Sequence, residues 1–169
     1  IFFSNYKDII NAPYFLPYMS GERTPHNDPH VRGSFHALKT TTNQASLHYA
    51  VLEGICFGIL DGVNAIKLVN SDFKEIFMVG GGSKSSFWIG LLASVLNRKL
   101  SVCEQSEFGA ALGVARLAMF ADNSIKNKNL IIKDVTAKEH FNSSPNHIKI
   151  LKDRYEVWKE IYLNNKKNY

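Results

Sequence analysis

Three consecutive glycines, Gly80-Gly81-Gly82, followed by Ser83-Lys84-Ser85, are the residues whose type and spacing point most directly to chemistry. They follow Glu75-Ile76-Phe77-Met78-Val79, a largely apolar run that reads as a buried strand. After them Phe87, Leu91, Leu92, Val95 and Leu96 recur at helical spacing. Strand, glycine turn and helix together bring backbone close to a phosphate or nucleotide. Glycine has no Cβ to hold a ligand away, and the helix start offers unpaired N–H groups and the positive end of its dipole. A tight strand-to-helix turn in any α/β protein would be served by one glycine. Three in a row favour a site.

Two other patterns carry less. Gly80-x-Gly82-x-x-Ser85 imitates a dinucleotide fingerprint, and Glu104 ends the next strand where a ribose-binding acid would stand. The third glycine of that fingerprint is a serine here, which weakens it. His26, Asp28 and His30 could face a metal, but zinc takes three or four ligands and no further His or Cys has motif spacing to them. They read as satisfied loop side chains, and no metal site is expected.

These residues must be positioned by the elements around them. Tyr14–Met19 and Ser34–Leu38 read as short strands around a Pro-, Gly- and Asn-rich ordered loop, residues 20–30. From Asn43 to about Val69, Leu47, Val51, Ile55, Ile59, Ile66 and Val69 mark one long helix. Gly54, Gly58 and Gly62 form a row on it, which predicts close packing on a sheet. Lys99–Cys103 reads as a further strand, and the small residues from Glu107 to Ala115 as a helix lying tightly against the sheet. Ile148, Leu151, Tyr155, Trp158 and Tyr162 define an amphipathic last helix. Strands alternating with helices give an α/β class.

The chain has 169 residues and a net charge of +5, with no basic block interleaved with aromatics, so no nucleic-acid partner is expected. No run reads as long and apolar enough to span a membrane, and no membrane partner is expected. Cys56 and Cys103 fall within a helix and a strand, which suits buried thiols in a reducing compartment, the cytoplasm. The first residue is not Met, and the chain is expected to belong to something longer.

Several ordered segments resemble the C-terminal half of the FGGY carbohydrate kinases, most closely those acting on xylulose. They are Phe15-Leu16-Pro17-Tyr18-Met19-Ser20-Gly21-Glu22-Arg23-Thr24-Pro25, Asp28-Pro29-His30-Val31-Arg32-Gly33 and Ala50-Val51-Leu52-Glu53-Gly54 with Asp61. Gly80-Gly81-Gly82-Ser83-Lys84-Ser85 with Trp88, and Glu107-Phe108-Gly109-Ala110-Ala111-Leu112-Gly113, complete the resemblance. It implies a ribonuclease-H-like, actin-like ATPase domain with a mixed sheet flanked by helices, one half of a two-domain kinase. Residues 1–122 would form its core, 123–134 a linker, and 135–169 an extension whose helix packs on the same domain.

The resemblance further implies transfer of the ATP γ-phosphate, with Mg²⁺, to D-xylulose or another ketose or polyol. Gly80, Gly81, Gly82, Ser83 and Ser85 would then line the nucleotide. Ser83 stands where the family usually has Ala, and Glu22 and Arg23 are expected to brace their loop by pairing with each other or with Asp28. No catalytic residue is expected in this chain: the general-base aspartate and the Asp-x-Gly-Thr phosphate loop belong to the N-terminal domain, the expected partner. A nucleotide-binding module without catalysis and an actin-like assembly protein are the rival readings, and a homodimer is a further expected partner state. A branched side chain at Gly82 is expected to block nucleotide while sparing the fold.

Overall fold

The computed structural model describes residues 6–69, 75–104, 106–122, 131 and 136–166. Most of the expected linker, 123–134, lies outside the described residues. After a short helix α1, Tyr6–Asn11, the strands β1, Tyr14–Leu16, and β2, Ser34–His36, pair antiparallel, with Phe15 opposite Phe35. Both are shorter than predicted. Pro17, lacking an N–H, follows β1 directly.

Helix α2, Gln44–Val69, starts at a reciprocal cap. Ser46 N donates to Asn43 Oδ1 at 2.9 Å, and Asn43 N to Ser46 Oγ at 3.1 Å. Contrary to the sequence expectation, this 26-residue helix is long and apolar enough to cross a membrane by length and composition. It instead serves as the core helix, with Tyr49, Ala50, Glu53, Gly54, Cys56, Phe57 and Asp61 buried. The glycine row has one close contact rather than three. A Cβ at Gly54 would overlap the Phe15 carbonyl oxygen of β1, one at Gly58 would rest 3.8 Å from Pro17, and Gly62 has nothing within 4 Å.

The second sheet has the order β3-β4-β5. Strand β3, Phe77–Met78, runs parallel to β4, Leu100–Cys103, and helix α3, Ser86–Leu96, connects them. Asn97 closes α3 in the left-handed region at φ 48°, its N–H bonded to the Ala93 and Ser94 carbonyls. Strand β5, Ala137–Phe141, pairs antiparallel with β4 and was not anticipated. Its pattern is only half-buried at the ends, Ala137 and Phe141, around the exposed Lys138, Glu139 and His140. The segment after the linker therefore adds a strand to the sheet as well as a helix.

Helix α5, Pro145–Asn165, begins with proline at its first position. Leu151 joins a core cluster of Tyr49, Cys56, Ile89, Leu92 and Leu100. Tyr155, Trp158 and Tyr162 form a second, aromatic cluster with Leu16, Tyr18, Val31 and Phe57. Both cysteines are buried free thiols, as expected.

Helix α4, Gly109–Ala121, departs from expectation: none of its residues is buried. Gly109 does meet Val79 closely, but Val114, Leu117, Met119 and Phe120 are exposed. The small residues permit tight packing, yet no described element covers that face.

Candidate functional site

The glycine turn sits where β3 ends and α3 begins. Gly80 takes φ +84°, a conformation open to glycine and strained for other residues, and Gly81–Lys84 form one 3₁₀ turn. Ser83 N donates to the Gly80 carbonyl at 3.1 Å, and Ser85 N to that of Gly82 at 3.1 Å. Ser85 then caps α3, accepting from Trp88 N at 3.3 Å.

The turn is tied to the next loop by a residue that the sequence did not single out. Gly80 N donates to the Ser106 carbonyl at 2.8 Å, and the Ser83 and Ser106 hydroxyls share a 2.8 Å hydrogen bond. Ser83 Oγ also donates to the Gly80 carbonyl at 2.7 Å. Ser83 is buried, so its hydroxyl braces the turn, a task that an Ala could not perform. Ser106 lies just before the Glu107-Phe108-Gly109 segment, and no spacing in the sequence marks it as a partner of Ser83.

The three glycines face different surroundings. Gly80 and Gly81 have nothing within 4 Å of where a Cβ would stand. At Gly82 a Cβ would overlap the Trp88 indole, lying 2.8 Å from Cε3 and closer still to Cζ3. The expectation that position 82 tolerates a branched residue without harm to the fold is therefore corrected. Trp88, one turn into α3, reaches back over the glycine and packs against the first core cluster.

The other candidates do structural work. His26 Nε2 lies 3.3 Å from Asp61 Oδ2, and its ring stacks on Tyr162 at 4.0 Å between centroids. Asp28 Oδ1 accepts from His30 N at 3.0 Å and Val31 N at 3.1 Å, bonds that hold its carboxyl below the ordinary range. Among the described residues, no three His, Cys, Asp or Glu side chains gather to hold a metal. Contrary to the expected side-chain pairing, Glu22 braces the loop through backbone bonds with Asp28 of 2.8 Å each way, and its carboxylate accepts from His26 N at 2.8 Å. Glu104 is exposed beyond β4.

A buried ion pair was also missed. Arg154 of α5 holds Glu53 of α2 through Nε–Oε1 at 2.7 Å and Nη2–Oε2 at 2.6 Å, and the Tyr49 hydroxyl donates to Glu53 Oε1 at 3.1 Å. Burial works against the Arg154 charge, but the Glu53 carboxylate outweighs it and keeps the guanidinium above its ordinary pKa. The two-pronged geometry is that of an ionised pair.

The turn, its brace and its capped helix all lie within a stretch that matches a known family. Residues 7–121 match the C-terminal domain of the FGGY family of carbohydrate kinases. The chain belongs to this family. It is 31% identical over 149 residues to the xylulose kinase of Escherichia coli K12, spanning 88% of this chain and 31% of that protein. A crystal structure of a xyloylose kinase from Brucella ovis superposes with a TM-score of 0.78 at 33% identity, covering 90% of this chain and 31% of that one. A gluconate kinase from Lactobacillus acidophilus superposes at 0.70 with 26% identity, covering 96% of this chain and 34% of that one. The fold is thus the actin-like ATPase fold of the FGGY kinases, and kinases of this family use ATP. The chain spans about a third of the length of these relatives.

Proposed function

We propose that this chain is the nucleotide-side part of a cytoplasmic sugar kinase. Together with an N-terminal domain, it would transfer the ATP γ-phosphate, with Mg²⁺, to D-xylulose, giving D-xylulose 5-phosphate. The xylulose kinases of E. coli and Brucella ovis support that substrate, and the gluconate kinase keeps a related polyol or sugar acid as the second reading. One observation carries the nucleotide assignment. Gly81 has open space around it and an ordinary φ, so nothing among the described residues requires a glycine there. A bare backbone facing outward at a helix start is a cradle that a side chain would fill.

ATP supplies the phosphoryl group, and phosphoryl transfer depends mainly on positioning and charge stabilisation. This chain's contribution is positional. Gly80 and Gly81 leave the main chain uncovered, the Ser83–Ser106 bond holds the turn's shape, and Ser85 fixes the start of α3. The general base belongs to the N-terminal domain.

The test is Gly81→Val. The melting temperature is expected to stay within a degree or two of wild type, because surface substitutions in open space change stability by about 0.5 kcal/mol or less. ATP binding, followed by calorimetry with NAD as the control ligand, is expected to be lost. Unchanged ATP affinity, or tight NAD binding that depends on Glu104, would overturn the reading.

A further inference from the structure

We propose that Trp88 is the positioning residue of the glycine turn, and that Gly82 is a glycine for the sake of the Trp88 indole rather than for a ligand. The inference rests on the nucleotide reading of the turn and divides the three glycines by role: Gly80 serves the positive φ of the turn, and Gly81 is left to face the ligand. A Cβ at position 82 would overlap the benzo edge of Trp88, whereas the two glycines before it have empty space. The indole cannot swing aside freely, because it packs against the core that Cys56, Ile89 and Leu92 help to form. Its Nε1 is buried without a well-formed hydrogen bond, so packing rather than a polar anchor holds it in place. Burial pushes the neighbouring Cys56 thiol up to about 12, against the opposing pull of the Trp88 N–H.

Trp88 thus ties the turn to α3 and to the core. Its backbone N–H is held by Ser85 Oγ, which fixes the start of α3, and its ring supports Gly82 from the core side. Any change in the tilt of the ring moves the backbone at Gly82, and with it the adjoining Gly81.

The test is a double-substitution cycle with one spectroscopic reading. Gly82→Ala is expected to lower the melting temperature by several degrees and to weaken ATP binding about tenfold, as overpacking does. Trp88→Leu removes the ring edge, and Gly82→Ala added to it is expected to lower the melting temperature no further. Equal losses in both backgrounds would overturn the proposal. Trp88→Phe, which trims the ring without emptying its site, serves as the background if the leucine variant does not fold. In wild type the chain's two tryptophans, labelled with 5-fluorotryptophan, give separate fluorine signals. Millimolar ATP is expected to shift the Trp88 signal and to leave that of Trp158, whose Nε1 is bound to the Phe15 carbonyl at 2.8 Å, unmoved. An unmoved Trp88 signal with ATP bound by calorimetry would overturn the positioning role. Failure of the wild-type chain, mixed with the N-terminal half, to bind ATP would overturn the nucleotide reading itself, and the melting cycle would still decide which residue Gly82 serves.

Discussion

Single side chains here answer to different neighbours even when they stand side by side. Gly81 and Gly82 look alike in the sequence, and only the structure shows that one faces space and the other an indole. The sequence could announce the turn because strand, glycines and helix follow one another locally. It could not announce Trp88 above Gly82 or Ser106 beside Ser83, because those meetings depend on how α3 and the following loop fold back. Asp28 offers a test at this scale. Its backbone hydrogen bonds place its folded pKa below the ordinary 3.8, so its contribution is present above that value and lost as pH falls through the lower, folded one. Asp28→Asn is expected to melt below wild type at neutral pH, and the two curves to converge in strong acid. A gap that stays constant with pH would show that the carboxylate's charge contributes nothing.

At the scale of elements, the long helices were legible, whereas the short helix α1 and strand β5 were not. The periodic apolar positions of α2 and α5 span enough turns to read unambiguously. β5 was missed because an edge strand of five residues with an exposed middle lacks the alternation that a half-buried strand shows. The union of α2 with α5 was also invisible, since Glu53 and Arg154 lie 101 residues apart. Removing one member of such a pair leaves a charge buried and uncompensated. Arg154→Ala is therefore expected to cost about 3–5 kcal/mol in chemical denaturation, and Glu53→Gln with Arg154→Met to recover a good part of it. Recovery of nothing would mean that the Arg154 stem and its cation–π contact with Tyr14, at 4.3 Å, matter more than the charge pair. Gly54→Ala tests the other junction. A methyl placed on the Phe15 carbonyl is expected to destabilise the chain by about 1–3 kcal/mol, whereas Gly62→Ala, with nothing nearby, is expected to stabilise α2 slightly.

The whole molecule presents a wall rather than a closed site. The glycine turn opens outward, α4 buries none of its residues, and Val114 and Leu117 are 67% and 70% exposed. An apolar helix face of that kind marks an interaction surface, and the proposed occupant is the remainder of the kinase, since the chain spans about a third of its relatives. A ligand held from one side loses much of the burial that gives a cleft its affinity. This chain by itself is therefore expected to bind ATP weakly and to phosphorylate nothing. On the proposed division of the kinase, the general base lies in the other half, and lacking it typically removes about two to four orders of magnitude in rate. A cleft wall supplied by that half would compound the loss, because such contributions act together. Mixing the chain with a separately produced N-terminal half is expected to restore ATP-dependent phosphorylation of xylulose and to protect the α4 amides from hydrogen exchange. Leu117→Glu, exposed and outside the glycine turn, is expected to leave the isolated chain folded and to prevent that recovery. Turnover by the purified chain alone would place the catalytic base within these residues. Full recovery with Leu117→Glu would move the docking surface away from α4.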